Sequence, residues 1–150
     1  TTRLFGNVLT WLQEKESPVF VVATANDITK MPPELMRKGR FDEIFYVGLP
    51  DEREREKIFE IHVGRRRPGD LKDLKLRDLA EKTRGFSGAD IEGVVKDTVE
   101  AAFADGKNRV QTQDILDVVK NTHSLSEIMK DSLDKMTKEY EKRKFKNASR

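Results

Sequence analysis

The stretch Val-Phe-Val-Val-Ala-Thr-Ala at residues 19–25 constrains this chain most. Side chains alternate between the two faces of an extended strand, and here both faces are apolar. Bounded by Ser17-Pro18 and by Asn26-Asp27, such a run reads as a strand buried inside a parallel sheet. A second run, Ile-Phe-Tyr-Val-Gly at 44–48, is closed by Leu49-Pro50 and reads as another strand. Ahead of both, Leu4, Phe5, Val8, Leu9 and Leu12 mark one face of a helix over 3–13. Pro32-Pro33 opens a short helical turn, with Pro near the first helical position. Helix, buried strand, turn and strand are parts of a doubly wound α/β sheet. Two strands do not make a stable parallel sheet, so residues 1–50 are expected to be a truncated core. The chain also opens at Thr1 without a Met, as a fragment does.

From residue 51 onward the periodicity is helical, so the chain is mainly α overall. Asp51 and Glu52 begin a helix that carries Ile58, Phe59, Ile61 and His62. A loop follows at 65–70, and Leu76, Leu79 and Ala80 predict a short helix ending at Gly85. Ser87 with Asp90 has the spacing of a capping box. It opens a helix with Ile91, Val94, Val95, Val99, Ala102 and Phe103 inward, stopped by Asp105-Gly106. Thr112 is the expected cap of another helix, with Ile115, Leu116, Val118 and Val119 inward. These helices form an all-α bundle over 51–122. A last segment, 123–150, spaces Leu125, Met129, Leu133, Met136 and Tyr140 as a narrow amphipathic seam over 124–146. That seam is expected to pack on the chain's own bundle rather than form a coiled coil. The charges at 142–146, Lys-Arg-Lys-Phe-Lys, read as a solvated helix end near a favourable dipole.

Composition removes several kinds of chemistry. There is no cysteine, so a disulfide scaffold, a thiolate zinc site and a Cys nucleophile are excluded. His62 and His123 are the two histidines, too few for a histidine metal cluster, and no metal site is expected. Lys and Arg total 29 against 27 Asp and Glu, a net charge of +2. Nucleic-acid binding is therefore the weaker reading, resting on 65–67 and 142–146 alone. No apolar run approaches the ~20 residues of a membrane span, so no membrane partner is expected.

Two places stand out for ligand chemistry. Asn26 follows the 19–25 run, and open α/β sheets bind ligands at the carboxyl ends of their strands. An amide there can orient a water or touch a phosphate oxygen; in isolation an Asn at that point reads first as a turn cap. Arg37 and Arg40 flank Gly39, and guanidinium groups grip phosphate oxygens through paired hydrogen bonds. The plain alternative is a solvated basic loop with Asp42 as the local ion-pair partner.

Taken together, the segment from Val-Phe-Val-Val-Ala-Thr-Ala-Asn through Glu-Leu-Met-Arg-Lys-Gly-Arg-Phe-Asp to Gly-Leu-Pro-Asp resembles the second region of homology of the AAA ATPases. Ile58-Phe59-Glu60-Ile61-His62 and Gly85-Phe86-Ser87-Gly88-Ala89-Asp90-Ile91 resemble the family's lid motifs, in the same order and spacing. The likeness covers residues 1–122. Leu9-Thr10-Trp11-Leu12-Gln13-Glu14-Lys15 and Thr24-Ala25-Asn26-Asp27-Ile28 are most similar to a branch of cyanobacteria and plastid genomes, encoded by a hypothetical chloroplast reading frame.

This resemblance implies a P-loop NTPase core followed by a helical lid, using ATP and Mg2+. It implies that Asn26 is sensor 1, which places the attacking water. Arg37 and Arg40 would be the arginine-finger pair that reaches a neighbouring subunit's ATP, a contribution worth about 10³–10⁵ in rate in other NTPases. His62 would contact the adenosine, although its spacing alone fits a half-buried core histidine beside Ile58 and Ile61. Gly88 and Ala89 would be the small pair against which adenine or ribose packs, while also starting a core helix. The family further implies a ring, a homo-hexamer, that remodels a macromolecular substrate, in the cytoplasm or in the plastid stroma for a plastid-encoded copy.

The sequence also departs from the family. It holds no G-x-x-x-x-G-K-[ST] string to cradle phosphates and no strand-like apolar run passing directly into Asp-Glu. The phosphate and metal ligands are thus expected outside this chain, which alone is expected to be inactive. A fused zinc protease would need His-Glu-x-x-His, which does not occur here. The rival to an ATPase is a non-catalytic helical interaction or assembly module, and nucleotide binding separates the two.

Overall fold

The structure, a computed structural model, describes residues 2–37 and 40–148. Its helices are α1 (Thr2–Glu14), α2 (Glu52–Arg66), α3 (Leu76–Lys82), α4 (Gly88–Ala104), α5 (Thr112–Lys120), α6 (Leu125–Ile128) and α7 (Lys130–Lys142). Its strands are β1 (Phe45–Tyr46) and β2 (Lys146–Asn147). The chain divides into two compact units, Thr1–Val47 with Lys138–Arg150, and Gly48–Thr137. It is mainly helical, with two parallel strands in the first unit and an all-helical second unit.

In the first unit, α1 forms where the spacing predicts it. Leu12 is buried, but Leu4 and Val8 of the predicted stripe stay exposed, and so does Trp11. The strand expected at 19–25 is not formed. Phe20 is 92% exposed and Val22 76%. A strand apolar on both faces is buried only when strands flank it and helices cover it, and the described residues pair no strand with it. The turn after Pro32-Pro33 is present as a 3-10 helix at Pro33–Met36, which buries Leu35.

The strand expected at 44–48 shortens to β1, and its partner comes from the far end of the chain. β1 and β2 run parallel, with Phe45 opposite Lys146 and Tyr46 opposite Asn147. Residue 146, expected on a solvated helix end, thus belongs to a strand, and Lys146 Nζ lies 2.6 Å from Glu43 Oε2. Tyr140 packs 4.5 Å from Tyr46 and 5.9 Å from Phe145 between ring centroids. Burial raises the Tyr140 phenol above its ordinary range. The C-terminal amphipathic helix expected over 123–150, with its seam at 124–146, is broken at Met129, whose φ of −117° ends α6 before α7 begins. The seam is correspondingly incomplete: Met129 is exposed while Tyr140 is buried.

The second unit is a small bundle with one core. Asp51 caps α2 reciprocally with Glu54: Glu54 N–H donates to Asp51 Oδ1 and Asp51 N–H to Glu54 Oε2, each at 2.8 Å. Such a box satisfies two otherwise unpaired helix-end donors. Phe59 and Val63 of α2 meet Leu79 of α3, Ile91, Val94 and Val95 of α4, and Ile115 of α5. Burying each such side chain is worth about 1.5–3 kcal/mol.

Arg55 is buried with them, at 6% exposure. Its Nε donates to the Ala80 carbonyl at 3.0 Å and its Nη1 to the Pro50 carbonyl at 2.8 Å. A cation there also faces the carbonyl end of α3, where the helix dipole favours it.

The α4 stripe holds except at Phe103, which is 85% exposed. At about 3.6 residues per turn, Ala102 aligns with Ile91 and Phe103 falls a third of a turn away. Asp105-Gly106 ends the helix as expected, with Gly106 at φ 67°. The α5 cap is Gln111 rather than Thr112: the Gln111 N–H donates to Asp114 Oδ2 at 2.8 Å. The Thr112 hydroxyl instead accepts from the Lys75 N–H at 3.0 Å, holding the start of α5 to the start of α3. The predicted loop at 65–70 begins later than expected, because α2 continues through Arg66. There Asp70 accepts from Arg67 Nε at 2.7 Å and from the Val110 N–H at 3.1 Å. These bonds hold its carboxyl below the usual carboxylate range, the arginine first.

Candidate functional site

Asn26, Arg37 and Arg40 lie in the first unit; His62, Gly88 and Ala89 lie in the second. In the second unit, helix periodicity assembles the site. Ile58, His62 and Arg66 follow one another at four-residue spacing along one face of α2, and Gly88 and Glu92 do the same on α4. An added Cβ on Gly88 would rest 3.9 Å from Ile58 Cδ1. One turn further on, His62 Nδ1 stands 3.9 Å from Glu92 Oε1. The two helices therefore run in the same direction along this seam, with Ile58 opposite Gly88 and His62 opposite Glu92.

His62 is half-buried, its side chain 14% exposed. Arg66 Nη1 sits 3.4 Å from its Nδ1, and Arg66 Nη2 donates to Glu92 Oε1 at 3.2 Å. The spacing puts Arg66 in the 65–70 loop and gives Glu92 no role. The signal that finds them is the four-residue step from His62 to Arg66, legible once α2 is extended by a turn.

The start of α4 is fixed from two directions. The Asp90 N–H donates to Ser87 Oγ at 3.1 Å, and the Ser87 N–H returns a bond to Asp90 Oδ2 at 2.9 Å. The capping box predicted from Ser87 and Asp90 is thus present. The same Asp90 Oδ2 also accepts from the Leu125 N–H at 2.8 Å, tying α6 to α4. Gly88 and Ala89 occupy the first turn of α4, Gly88 half-buried and Ala89 exposed. Small side chains at a helix start let a ligand come close to backbone N–H groups.

In the first unit, Asn26 is exposed at a bend after the extended 19–25 stretch. Its neighbour Asp27 accepts from the Thr29 hydroxyl and from the Thr29 N–H at 3.0 Å. These bonds hold the Asp27 carboxyl below its ordinary range. The turn cap is therefore Asp27, not Asn26.

Arg37 is exposed at the end of the Pro33–Met36 turn, and its guanidinium has no partner among the described residues. Arg40 is half-buried and its Nη1 donates to the Glu34 carbonyl. Asp42 pairs with neither arginine among the described residues, so the local ion pair is not formed. Gly39, between the two arginines, lies outside the described residues.

The described residues contain no cluster of three or more His, Asp or Glu placed to hold a metal ion. None of their helices is long and apolar enough to cross a membrane.

Comparison with known proteins gives this geometry its context. Residues 1–49 match the family described as ATPase family associated with various cellular activities (AAA), and residues 73–117 match the AAA+ lid domain. The chain is 47% identical over 126 residues to the protein named "Uncharacterized AAA domain-containing protein ycf46" of Guillardia theta, covering 84% of this chain and 25% of that protein. It is 46% identical over 119 residues to the protein of the same name in Gracilaria tenuistipitata var. liui, covering 79% and 24%. It is also 40% identical over 101 residues to a proteasome-activating nucleotidase of Saccharolobus islandicus, covering 67% and 25%. The chain thus spans about a quarter of the length of these relatives. With its two matched stretches together covering more than half of its length, the chain belongs to the AAA ATPase family.

Proposed function

We propose that this chain supplies the lid and the trans-acting cations of an ATP-hydrolysing ring that remodels a macromolecular substrate. The observation that carries this reading is the α2–α4 seam, where His62 lies one helical turn from Gly88. A half-buried imidazole one turn from a side chain reduced to hydrogen suits the edge of a nucleoside. Ile58, against Gly88, offers an apolar contact for the base. The relative named a proteasome-activating nucleotidase supports a nucleoside phosphate as the ligand.

When bound, ATP supplies the transferable phosphoryl group and Mg2+ neutralises its oxygens. No G-x-x-x-x-G-K-[ST] string occurs in this chain, so the residues that hold phosphate and metal are assigned to the rest of the protein. Within this chain, His62, Gly88 and Ala89 hold the adenosine. Asn26 orients a water through its amide. Arg37 and Arg40 meet the phosphates of a neighbouring subunit in a ring, a homo-hexamer. The guanidinium of Arg37, exposed and without a partner among the described residues, supports that role, because a trans-acting cation must be accessible before its subunit docks. The backbone carbonyl of Glu34 orients Arg40.

The test uses the full-length protein. Arg37→Ala and Arg40→Ala should each abolish ATP turnover while ATP binding persists, because neither residue holds the nucleotide of its own subunit. Loss of binding together with turnover would refute the trans assignment. The purified 150-residue chain should show no turnover, and measurable hydrolysis by it would refute the division of labour.

A further inference from the structure

The geometry points to Arg66 and Glu92 as the positioning residues that decide which ring nitrogen of His62 donates to the nucleoside. This rests on the adenosine contact proposed above. A guanidinium carries five N–H donors, has no acceptor and does not deprotonate in proteins. With Arg66 Nη1 3.4 Å from His62 Nδ1, a hydrogen bond between them forms only when that nitrogen presents its lone pair. A neutral imidazole then carries its proton on Nε2.

Glu92 pulls the opposite way. Its Oε1 lies 3.9 Å from the same Nδ1, and as a pure acceptor it favours a proton there. Arg66 settles the competition by contacting both groups, because its Nη2 donates to Glu92 Oε1 at 3.2 Å. The carboxylate is occupied by the guanidinium, and Nδ1 is left facing a donor. His62 Nε2 makes no hydrogen bond to the described residues. Its N–H is therefore available, one helical turn from Gly88, for an acceptor atom of the nucleoside: a base nitrogen or a ribose oxygen. Arg66 and Glu92 touch neither substrate nor cofactor in this scheme and act only through the ring.

Nitrogen-15 spectra of the imidazole rings in the 150-residue chain, recorded above the histidine titration, read the tautomer directly. His62 should carry its proton on Nε2. Arg66→Leu should move it to Nδ1, towards Glu92, and Arg66→Lys, which keeps a cationic donor, should restore it. In the full-length protein, Arg66→Leu should raise the KM for ATP roughly three- to tenfold, the range expected for one lost hydrogen bond. It should change kcat little, and Arg66→Lys should recover most of the loss. Backbone amide spectra identify any variant that fails to fold, and Glu92→Leu then serves in its place, because it should keep the Nε2 proton. A wild-type ring protonated on Nδ1 overturns the inference. So does an unchanged KM in Arg66→Leu after the proton has moved. If His62→Ala leaves the KM for ATP unchanged, the proposed adenosine contact is what fails, and the ring spectra distinguish the two results.

Discussion

The Leu125 N–H donates to Asp90 Oδ2 at 2.8 Å across 35 residues of sequence. That oxygen also closes the α4 capping box with the Ser87 N–H, so one carboxylate sets the start of two helices. Asp90→Ala should cost about 1–3 kcal/mol, the range for leaving polar partners unsatisfied. Asp90→Asn keeps a carbonyl acceptor and should cost less. Urea denaturation ranks the variants, and hydrogen exchange at the Leu125 and Ser87 amides should accelerate in Asp90→Ala. Unchanged exchange at Leu125 would show that the bond contributes nothing to ordering α6.

Acid should weaken the tie between the α2 end and the α5 start through Asp70. Its carboxyl is held below its ordinary value by Arg67 and by the Val110 N–H. A group whose folded value is depressed stabilises fully above its unfolded value, about 3.9, and loses that stabilisation as pH falls through the folded value. The stability gap between wild type and Asp70→Asn should be greatest near neutral pH and close below about pH 4. Urea midpoints from pH 2 to 7 measure it. A gap that widens in acid would contradict the assignment.

Gly85 and Gly106 both adopt positive φ, 85° and 67°, yet they should respond differently to alanine. At Gly106 an added Cβ meets nothing within 4 Å, so the backbone penalty alone, about 1–2 kcal/mol, is expected. At Gly85 the added Cβ would collide with Ser126 Oγ, which raises the cost further. Ser126→Gly should relieve part of the loss in Gly85→Ala and none in Gly106→Ala. Thermal denaturation of the two double variants decides this.

Ile91 is fully buried at the centre of the second unit. Ile91→Ala should destabilise by about 2–5 kcal/mol. Phe103→Ala, on the same helix but 85% exposed, should stay within about 0.5 kcal/mol of wild type. Comparable losses would mean that Phe103 is covered in solution.

What the sequence shows and hides follows from the range of each interaction. Ser87 with Asp90 is a local pattern, complete within one turn, and it forms as the spacing predicts. The inward stripe of α4 is periodic, so it too is legible, apart from one step of phase at Phe103. Arg55 is buried against the carbonyls of Ala80 and Pro50, and nothing near it in sequence announces a buried cation. β2 pairs with a strand about a hundred residues away, and its charged sequence carries no strand signal. The run at 19–25 has the pattern of an interior strand, but pattern supplies demand for neighbours and not the neighbours themselves. Among the candidate site residues, His62 and Gly88 lie along one helix seam because periodicity determines their faces. Asn26 and Arg37 sit on irregular chain, where periodicity has nothing to say.

Phe20 and Val22 show most of their surface to water in an uncharged, β-prone stretch free of proline. Segments of that composition stack readily on copies of themselves. Clouding of a concentrated solution of these 150 residues is therefore expected to start from that stretch, and a charge at Val22 should delay it.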